Sequence, residues 1–548
     1  MPLFRKILIL SVSSIAIVAG ARAAEITTTT TAAVKTSTAN AGAPDDLTIT
    51  EDGSIEVVDT PGFTAVTIDS DNDVTIDGTI LIEDSDDTTG VNILPGLQSN
   101  LTVSGTVQLI EDYTREDSDD DDDVDGPLAI GANRTGILLG EGAAMEGNLY
   151  LQSGSSILVE GNASAGVLLL SPLNGDLRAE GSISVTGTGA QGITAAGRVD
   201  GDVTIGGSVS AKGENATAVR LDDGATGAVA LNGSVVATGF AFSSTSNYVA
   251  PSLVTEDTTP LDERLDADEL LSGGPAFVIG GSLGQGLLIN GAAPDPDLSD
   301  DEDEDETKDT IEDFNENRSA GSITSYGSAP ALLISADWDG EATEDLVLGE
   351  VLETVRDTLD DDEDDDTDEV LAQFAYTYGL INRGGISGAG TNVGFDGTGI
   401  LIEGSASTGH SVIIVGGIEN IGSITASAYE ANATALRLGT NVSTPALVNQ
   451  GTIQALISTE TVANAIALDI AETASLPVLE NSGTLLARST GNSGEVTTIR
   501  DLSGTLGTIT NTGTISAVYQ NDGVSLTTRS DGTAFDLRSN ATGVTLHQ

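Results

Sequence analysis

A phrase of nine residues returns along this chain at a nearly constant spacing. It reads ITNTGTISA from Ile509, and near-copies are IENIGSITA from Ile418, LVNQGTIQA from Leu447 and LENSGTLLA from Leu479. Shorter copies, Gly-Ser/Thr followed by Ile, Val or Leu, begin 26 residues apart at Gly181, Gly207 and Gly233. A period of about 20–50 residues is the signature of a repeat architecture, in which each unit buries its apolar face against its neighbours.

A second phrase, Ala or Gly followed by apolar-x-apolar, follows the first by about a dozen residues in the cleanest copies. Examples are GILL at Gly136, GVLL at Gly166, AVRL at Ala218 and ALRL at Ala435. Both phrases alternate apolar with polar or small residues and end at Gly, Asn or Asp, which is typical of strands and turns. The sequence therefore predicts an all-β fold, a right-handed parallel β-helix of roughly 15–19 coils, about 70–90 Å long.

The corners of such a coil explain the Gly and Asn of the first phrase. Gly permits a positive φ at a corner, and Asn tolerates the same region. We expect equivalent corners to stack as a hydrogen-bonded ladder of asparagine side chains, formed by Asn420, Asn449, Asn481 and Asn511. A ligand site is the alternative interpretation of these four residues.

The N-terminus has the layout of a secretory signal peptide. Arg5 and Lys6 precede an apolar run over 7–18, and Ala21-Arg22-Ala23 is a small-x-small cleavage site. We therefore assign residues 1–23 to a Sec-type signal and 24–44 to a flexible Thr/Ala-rich segment. The β-helix is expected over 45–548.

The charge of the chain excludes whole classes of partner. The formal net charge is −65 at pH 7, with 85 acidic and 20 basic residues. Nucleic-acid binding requires clustered Lys and Arg, and anionic lipid surfaces repel such a chain. Cysteine is absent, so the exported chain must be stabilised by a long continuous core rather than by disulfides.

Acidic segments interrupt the repeat and are predicted to leave the rod as loops. We place these excursions near 111–127, 244–273, 294–318 and 339–371. Some are expected to carry short helices, such as TPLDERLDADELLSGG from Thr259. In TEDLVLGEVLETVRDTL, apolar residues at helical spacing predict a second helix, formed by Leu348, Val351, Leu352, Val355 and Leu359.

The acidic runs raise the question of Ca²⁺, which prefers oxygen ligands. DSDNDVTIDG has the loop-like spacing of a calcium site but lacks the Gly and the closing Glu of an EF-hand. A solvated, self-repelling loop that attracts cations diffusely is the alternative. The candidate Ca²⁺ ligands are Asp69, Asp71, Asp73 and Asp77, then Asp119, Asp121 and Asp123, then Asp301, Asp303 and Asp305, and finally Asp362, Asp364 and Asp366. No other cofactor is expected.

Catalytic patterns are weak, and we expect no enzyme activity. GGSLG at 280–284 matches Gly-x-Ser-x-Gly, but no helix-forming segment follows it. A polysaccharide-cleaving β-helix is expected to line a cleft with aromatic and basic groups. Trp338 is the only Trp, and Arg220, Arg383 and Arg437 are scattered at single turns. A groove of Asp with Arg or Tyr along one face of the rod would favour such an enzyme.

The leader, the absence of cysteine and the Gly-Ser/Thr-rich coils with NxGxI corners together resemble the passenger region of a Gram-negative type V autotransporter, or a related exported β-helix adhesin. The resemblance covers most of residues 45–548. It implies a surface-exposed or released rod used in adhesion or aggregation. Autotransporters end in a membrane β-barrel, whereas this chain stops at ATGVTLHQ. We expect a truncated or split passenger, with a membrane β-barrel encoded downstream.

Three hypotheses of function follow. The first is an exported structural or interaction protein at the cell surface or outside the cell, with periplasmic residence as an alternative. Its expected partner is a host or neighbouring cell surface, or a glycan. The second is a calcium-dependent surface or matrix layer component. The third is a polysaccharide-processing β-helix enzyme.

Overall fold

The structure is a computed structural model of the chain. It describes residues 23–116, 126–239, 270–290, 321–338, 340, 342–356, 370–459, 462–490, 494–520 and 532–548. Within them, three long parallel sheets of 15, 14 and 14 strands wind around one apolar interior. The chain visits sheets A, B and C in turn, and each circuit is one coil. The predicted parallel β-helix is confirmed, and fifteen strands at about 4.8 Å give a stack roughly 70 Å long.

Sheet A has the shortest strands, mostly three or four residues long. Its inward Leu, Ile and Val alternate with one outward residue. It contains β1 (Ala24–Ile26), β4 (Leu47–Ile49), β7 (Val74–Ile76), β10 (Leu101–Val103), β14 (Leu149–Leu151), β18 (Leu177–Ala179), β21 (Val203–Ile205), β24 (Val229–Leu231), β27 (Leu287–Ile289), β33 (Leu380–Asn382), β37 (Ile418–Asn420), β41 (Ala446–Asn449), β44 (Val478–Asn481), β47 (Thr508–Asn511) and β50 (Thr545–His547).

Sheet B is built from the first repeated phrase. Its strands are β2 (Thr29–Thr30), β5 (Ser54–Val58), β8 (Thr79–Glu83), β11 (Thr106–Ile110), β15 (Ser156–Glu160), β19 (Ser182–Thr186), β22 (Ser208–Lys212), β25 (Ser234–Thr238), β28 (Ser322–Tyr326), β34 (Gly385–Val393), β38 (Ser423–Tyr429), β42 (Thr452–Ser458), β45 (Thr484–Thr490) and β48 (Thr514–Gln520).

Sheet C is built mainly from the second phrase. Its strands are β3 (Val34–Lys35), β6 (Thr64–Ile68), β9 (Thr89–Ile93), β12 (Thr135–Leu139), β16 (Ala165–Leu169), β20 (Gln191–Ala195), β23 (Thr217–Leu221), β26 (Phe277–Ile279), β29 (Leu332–Ser335), β35 (Gly397–Glu403), β39 (Ala433–Leu438), β43 (Asn464–Ile470), β46 (Glu495–Asp501) and β49 (Thr533–Asp536).

Three small sheets decorate this frame. The first two are parallel and lie between sheets C and A, and the third is an antiparallel hairpin. They are β13 (Met145–Glu146) with β17 (Leu173–Asn174); β30 (Leu346–Leu348) with β36 (Val412–Ile414) and β40 (Val442–Ser443); and β31 (Leu352–Arg356) with β32 (Val370–Ala375). The one helical element among the described residues is a 3₁₀ turn, Thr36–Thr38.

Equivalent residues of successive coils stack directly. Ile183 pairs in register with Val209, and Val209 with Val235, and all three side chains are buried. Each fully buried Val or Ile contributes about 1.5–3 kcal/mol relative to exposure. Because every coil adds such residues to one shared interior, the chain gains a long core without any disulfide.

The coil begins earlier than expected, because residues 24–35 are not a flexible segment. Ala24 pairs with Leu47, Thr30 with Ile55 and Val34 with Val66, so β1, β2 and β3 form the first coil. The Thr-rich composition suggested flexibility. Thr is nevertheless a good strand residue when its neighbour in the next coil supplies the hydrogen bonds.

The helix predicted within 343–359 is also wrong. Leu346–Leu348 is strand β30, and Leu352–Arg356 is the first strand of the antiparallel hairpin. Leu348 is the last residue of β30 and Val351 directly precedes β31, and both are buried. The apolar residues spaced three and four apart therefore belong to two short strands and the turn between them, rather than to one face of a helix. The helix predicted near 259–273 lies largely outside the described residues.

Gly recurs at the corner between sheets A and B for a different reason from the one expected. Gly422, Gly451, Gly483 and Gly513 do not have a positive φ. A Cβ atom at Gly451 would instead overlap the carbonyl oxygen of Gly422 in the preceding coil, and the same holds up the column. The coils approach so closely at this corner that no side chain fits. This glycine column includes Gly53, Gly78, Gly105, Gly207, Gly233, Gly384, Gly422, Gly451, Gly483 and Gly513.

The predicted asparagine ladder is present beside the glycine column. Each Asn donates from its side-chain Nδ2 to the Oδ1 of the Asn in the next coil, and each step is 2.7 Å long. The ladder has one member more than expected, and runs through Asn382, Asn420, Asn449, Asn481 and Asn511. The first three are fully buried and Asn481 nearly so, and this favours a structural role over the alternative of a ligand site.

Candidate functional site

A groove opens on the rod where the chain passes from sheet C to sheet A. In two successive coils this connection is a short turn, which contains Asp222 and Asp223 in the first coil and 280–282 in the second. In the following coil the connection is longer, and its described residues, 336–338, 340 and 342–345, overhang the two turns below. The space beneath it has a volume of about 230 Å³.

The wall of the groove contains the only tryptophan of the chain. The guanidinium of Arg220, on the outer face of β23, lies over the Trp338 ring at 5.5 Å from its centre. Arg220 also makes a two-point ion pair with Asp222, with Nε 3.0 Å from one carboxylate oxygen and a second nitrogen on the other. The sequence suggested that Trp338 and Arg220 are isolated. Long insertions separate Trp338 from Arg220 in the sequence, so their contact in the folded rod could not be read from the repeat.

Two carboxylates of the groove have no hydrogen bond or ion pair with another side chain among the described residues. Asp223 lies on the lower turn and Glu344 on the overhanging segment, and both are exposed. Partial burial raises the pKa of Asp223, and the negative charges of Glu344 and Asp200 act in the same direction, although Arg198 opposes them. Arg198 is itself held by Asp200, with its Nε 2.7 Å from a carboxylate oxygen. The groove thus offers free acceptors beside ion-paired donors.

The floor of the groove is the GGSLG segment at 280–284. Its glycines allow close stacking, since a Cβ at Gly281 would overlap the backbone of Asp223. The Ser282 hydroxyl accepts a hydrogen bond from the backbone N–H of Val347 at 3.0 Å. The segment turns from β26 towards sheet A and is followed by strand β27, not by a helix. It is therefore a structural turn, without the strand-elbow-helix of a nucleophilic serine.

The other singled-out arginines lie away from the groove. Arg437 is 3.6 Å from Asp469, which makes a closer two-point pair with Arg500. Arg383 takes part in a network beneath the antiparallel hairpin. The buried carboxylate of Glu353 accepts hydrogen bonds from Asn290 at 2.7 Å and Tyr376 at 2.8 Å, and lies 3.3 Å from Arg383. These ion pairs hold coils and the hairpin together.

A comparable network joins the described residues on the two sides of the first acidic run, 117–125. Glu111 precedes it, and its carboxylate accepts hydrogen bonds from the backbone N–H groups of Ile130 and Gly131 at 2.8 and 2.7 Å. Arg134 is buried beside Glu111 at 3.3 Å, and donates to the carbonyl oxygens of Ser85 and Glu160. Sequence reasoning missed Arg134. Its position three residues after a loop gave no signal of burial.

The four described calcium candidates each serve the coil. Asp69 accepts hydrogen bonds from the N–H and hydroxyl of Ser37, both at 2.9 Å. Burial raises the pKa of Asp69, but these hydrogen bonds and the charge of Lys35 outweigh it, so that the pKa lies below its usual value. Asp71 accepts from the N–H of Gln98 at 2.9 Å, and Asp77 from the hydroxyl of Ser104.

Asp73 belongs to a column that sequence reasoning missed. In six successive coils an Asp or Asn side chain accepts a hydrogen bond from the backbone N–H of the equivalent residue one coil further on, at distances between 2.7 and 3.1 Å. The spacing of these residues was the available signal. This column runs through Asp46, Asp73, Asn100, Asn148, Asp176 and Asp202.

The remaining calcium candidates lie outside the described residues: Asp119, Asp121, Asp123, Asp301, Asp303, Asp305, Asp362, Asp364 and Asp366. Within the described ranges, no three His, Cys, Asp or Glu side chains are grouped so that they could hold a metal ion. His410 lies 3.5 Å from Asp345 at the edge of the groove.

No protein-family model matches the chain, and neither a curated protein nor a solved structure is significantly similar to it. In the part of the chain that the structure describes, no helix has the length and apolar character needed to cross a membrane.

Proposed function

We propose that this protein is an exported interaction protein, a rod of the autotransporter-passenger type that functions in adhesion or aggregation. The observation that carries the proposal is the stacking of all described coils into one parallel β-helix with a single continuous core. Such a solenoid offers a long surface to a partner. The signal-like N-terminus would bring it to the export machinery.

Two clamps support this role. Glu111 and Arg134 connect the two sides of the first acidic run, and Glu353 and Arg383 fix the hairpin beside sheet A. A rod that displays segments at fixed positions suits contact with a large surface. The net charge of −65 favours cationic or neutral partners over anionic ones.

Surface display and adhesion are tested together on the cells that make the protein. Fab fragments raised against the purified chain should label intact cells, and beads coated with the chain should bind to those cells or to one another. A periplasmic protein serves as the control that the envelope is closed. Labelling that requires permeabilisation, together with beads that neither bind nor clump, would contradict the proposal.

Polysaccharide processing is a second candidate, favoured by the groove. Asp223 and Glu344 are unpaired carboxylates beside Trp338, Arg220 and Arg198, and the pKa of Asp223 is raised as in a general acid. If the rod is such an enzyme, polysaccharide incubated with it should gain reducing ends, and Asp223→Asn should abolish the gain. Identical reducing-end counts with and without protein would remove this candidate.

The calcium-dependent layer is the remaining hypothesis, and no described group of ligands favours it. It requires the melting temperature to rise with millimolar Ca²⁺ more than with Mg²⁺ at equal ionic strength, because diffuse screening treats the two cations alike. Equal curves would leave only diffuse attraction of cations.

A further inference from the structure

The groove beneath the overhanging segment combines an aromatic wall with carboxylates that are exposed to solvent. It is lined by Asp222, Asp223, Trp338, Glu344 and Asp345, over the floor at 280–282. The asparagine ladder and the two clamps are satisfied internally and leave nothing for a ligand. The groove is therefore the place to ask what the rod binds.

The Trp338 ring is the apolar surface that the groove offers to a ligand. It is half-buried, and Arg220 lies 5.5 Å from its centre, so the ring has a fixed partner and a partly open surface. Ligand sites typically combine such an apolar surface with a few precisely placed polar groups that fix orientation. The C–H face of a sugar ring is a flat apolar surface of matching size.

The polar part offers donors and acceptors at once. Arg220 with Asp222 and Arg198 with Asp200 form planar pairs whose geometry is fixed by their two-point contacts. Asp223 and Glu344 add free acceptors. A sugar hydroxyl is both a donor and an acceptor, so neighbouring hydroxyls can use both kinds of group. Charge-assisted hydrogen bonds of this kind are stronger than neutral ones.

A cationic ligand fits less well, although the groove has a negative excess. The aromatic ring already has Arg220 against it, and Arg198 stands beside Asp223. Arg220 covers one face of the ring, where an incoming ammonium or guanidinium would make a cation–π contact, and Asp222 and Asp200 already hold cations in two-point pairs. A neutral ligand needs neither position.

We infer that the groove is a binding site for a neutral oligosaccharide, with Trp338 stacking on a pyranose ring and Asp223 and Glu344 accepting hydrogen bonds from its hydroxyl groups. A volume of about 230 Å³ holds one or two sugar rings of a longer chain. The inference rests on the proposed function, since it names the class of ligand through which the rod would contact a surface.

Because Trp338 is the only tryptophan, its fluorescence reports this groove alone. The mature full-length chain is titrated with glucose, mannose and galactose oligosaccharides, and separately with oligolysine. We expect at least one neutral oligosaccharide to shift the emission saturably, with little dependence on salt. A shift with oligolysine alone, lost at high salt, would assign the groove to a cationic ligand and overturn the inference.

Variants test the two halves of the site. Asp223→Asn with Glu344→Gln should weaken binding of that oligosaccharide at least about tenfold, since two charged acceptors are lost. Glu472→Gln with Glu495→Gln removes the same charge from exposed positions elsewhere and should leave binding unchanged. Trp338→Ala should abolish the saturation-transfer NMR signals of the sugar, provided that its melting curve matches the wild type.

Absence of any saturable shift, or equal binding by both double variants, would overturn the inference. Fab labelling and bead adhesion do not depend on the groove variants. If the beads bind but no oligosaccharide shifts the Trp338 fluorescence emission, only the assignment of the groove fails. If the groove binds sugar while Fab reaches the chain only in permeabilised cells, only surface display fails.

Discussion

The side-chain amide of Asn420 donates a hydrogen bond to the Oδ1 atom of Asn449 at 2.7 Å inside the coil. Asn449 in turn donates from its Nδ2 to the Oδ1 atom of Asn481. The same Nδ2 lies 3.3 Å from the carbonyl oxygens of Gly451 and Thr484. Water does not reach Asn420 or Asn449. A buried polar column is tolerated here because each member satisfies the next.

Breaking this ladder in the middle should destabilise the rod. Asn449→Ala leaves the Asn420 donor and the Asn481 acceptor buried without their partner, and should cost about 2–4 kcal/mol in the free energy of unfolding. Gln450→Ala, at the adjacent exposed position, should have little effect. Urea unfolding of the three proteins compares them. Equal midpoints for the two variants would show that the ladder contributes nothing.

The glycine column makes a prediction about space rather than hydrogen bonding. Gly451→Ala places a methyl group onto the carbonyl oxygen of Gly422, and should cost at least about 2 kcal/mol by forcing the coils apart. Gly507→Ala is the matched control, because its Cβ would meet nothing closer than the Pro477 carbonyl oxygen at 3.7 Å. Thermal melting should separate the two substitutions clearly. A Gly451→Ala protein as stable as the control would refute the close stacking.

The clamp at the first excursion should be sensitive to loss of its cation. Arg134→Met leaves the carboxylate of Glu111 buried without a countercharge, and should cost about 3–5 kcal/mol. The amide hydrogens of Ile130 and Gly131 should then exchange faster with solvent, because they donate to that carboxylate. Arg538→Ala breaks an ion pair in which the arginine is exposed. It should change neither the free energy of unfolding nor the amide exchange of Ile130 and Gly131. Unchanged exchange in Arg134→Met would contradict the clamp.

Two carboxylates should affect stability with opposite dependence on pH. The pKa of Asp69 is lowered in the folded state, so its contribution is present above the unfolded value of about 3.9 and is lost as pH falls through the folded value. Burial raises the pKa of Glu403, and Asp337 adds to this, although Arg437 opposes it. Its ionisation therefore costs stability at neutral pH, and this cost disappears as pH falls towards about 4.3.

Melting temperatures across pH check both signs. At pH 7, Asp69→Asn should melt below the wild type and Glu403→Gln above it, and both differences should shrink in acid. Differences of the same sign at pH 7, or differences that grow as pH falls, would show that the charges of these residues are not coupled to folding in this way.

Much of the fold was predictable because the coil repeats its own environment. A strand phrase that recurs 26 residues later meets its copy, so Gly207 and Gly233 could be aligned from sequence alone. The asparagine ladder followed from the same alignment. Asn382 was missed because its copy of the phrase, INRGGI, has Gly385 where the other copies have Ser or Thr. The strand that each coil adds to sheet A is mostly three or four residues long, too short for a periodic signal.

The groove was not predictable, because insertions between its walls remove the repeat that aligns the rest. Asp223 and Trp338 are more than a hundred positions apart, yet only two coils separate them. Helical spacing misled for a related reason. Leu348 ends a strand that faces the core, whereas Leu352 begins the antiparallel hairpin, and short strands can show the same spacing of apolar residues as a helix.

The central claim is that each strand lies in parallel register beside its copy one coil away, and engineered disulfides test it most directly in a chain without cysteine. Thr425 pairs with Gln454, both facing outward on sheet B, whereas Ser516 lies three coils from Thr425, at about 14 Å. We predict that Thr425→Cys with Gln454→Cys forms an intramolecular disulfide under mild oxidation, and that Thr425→Cys with Ser516→Cys does not, since two Cα atoms more than about 7 Å apart cannot be bridged. A disulfide in the second pair and none in the first would contradict the stacked coil.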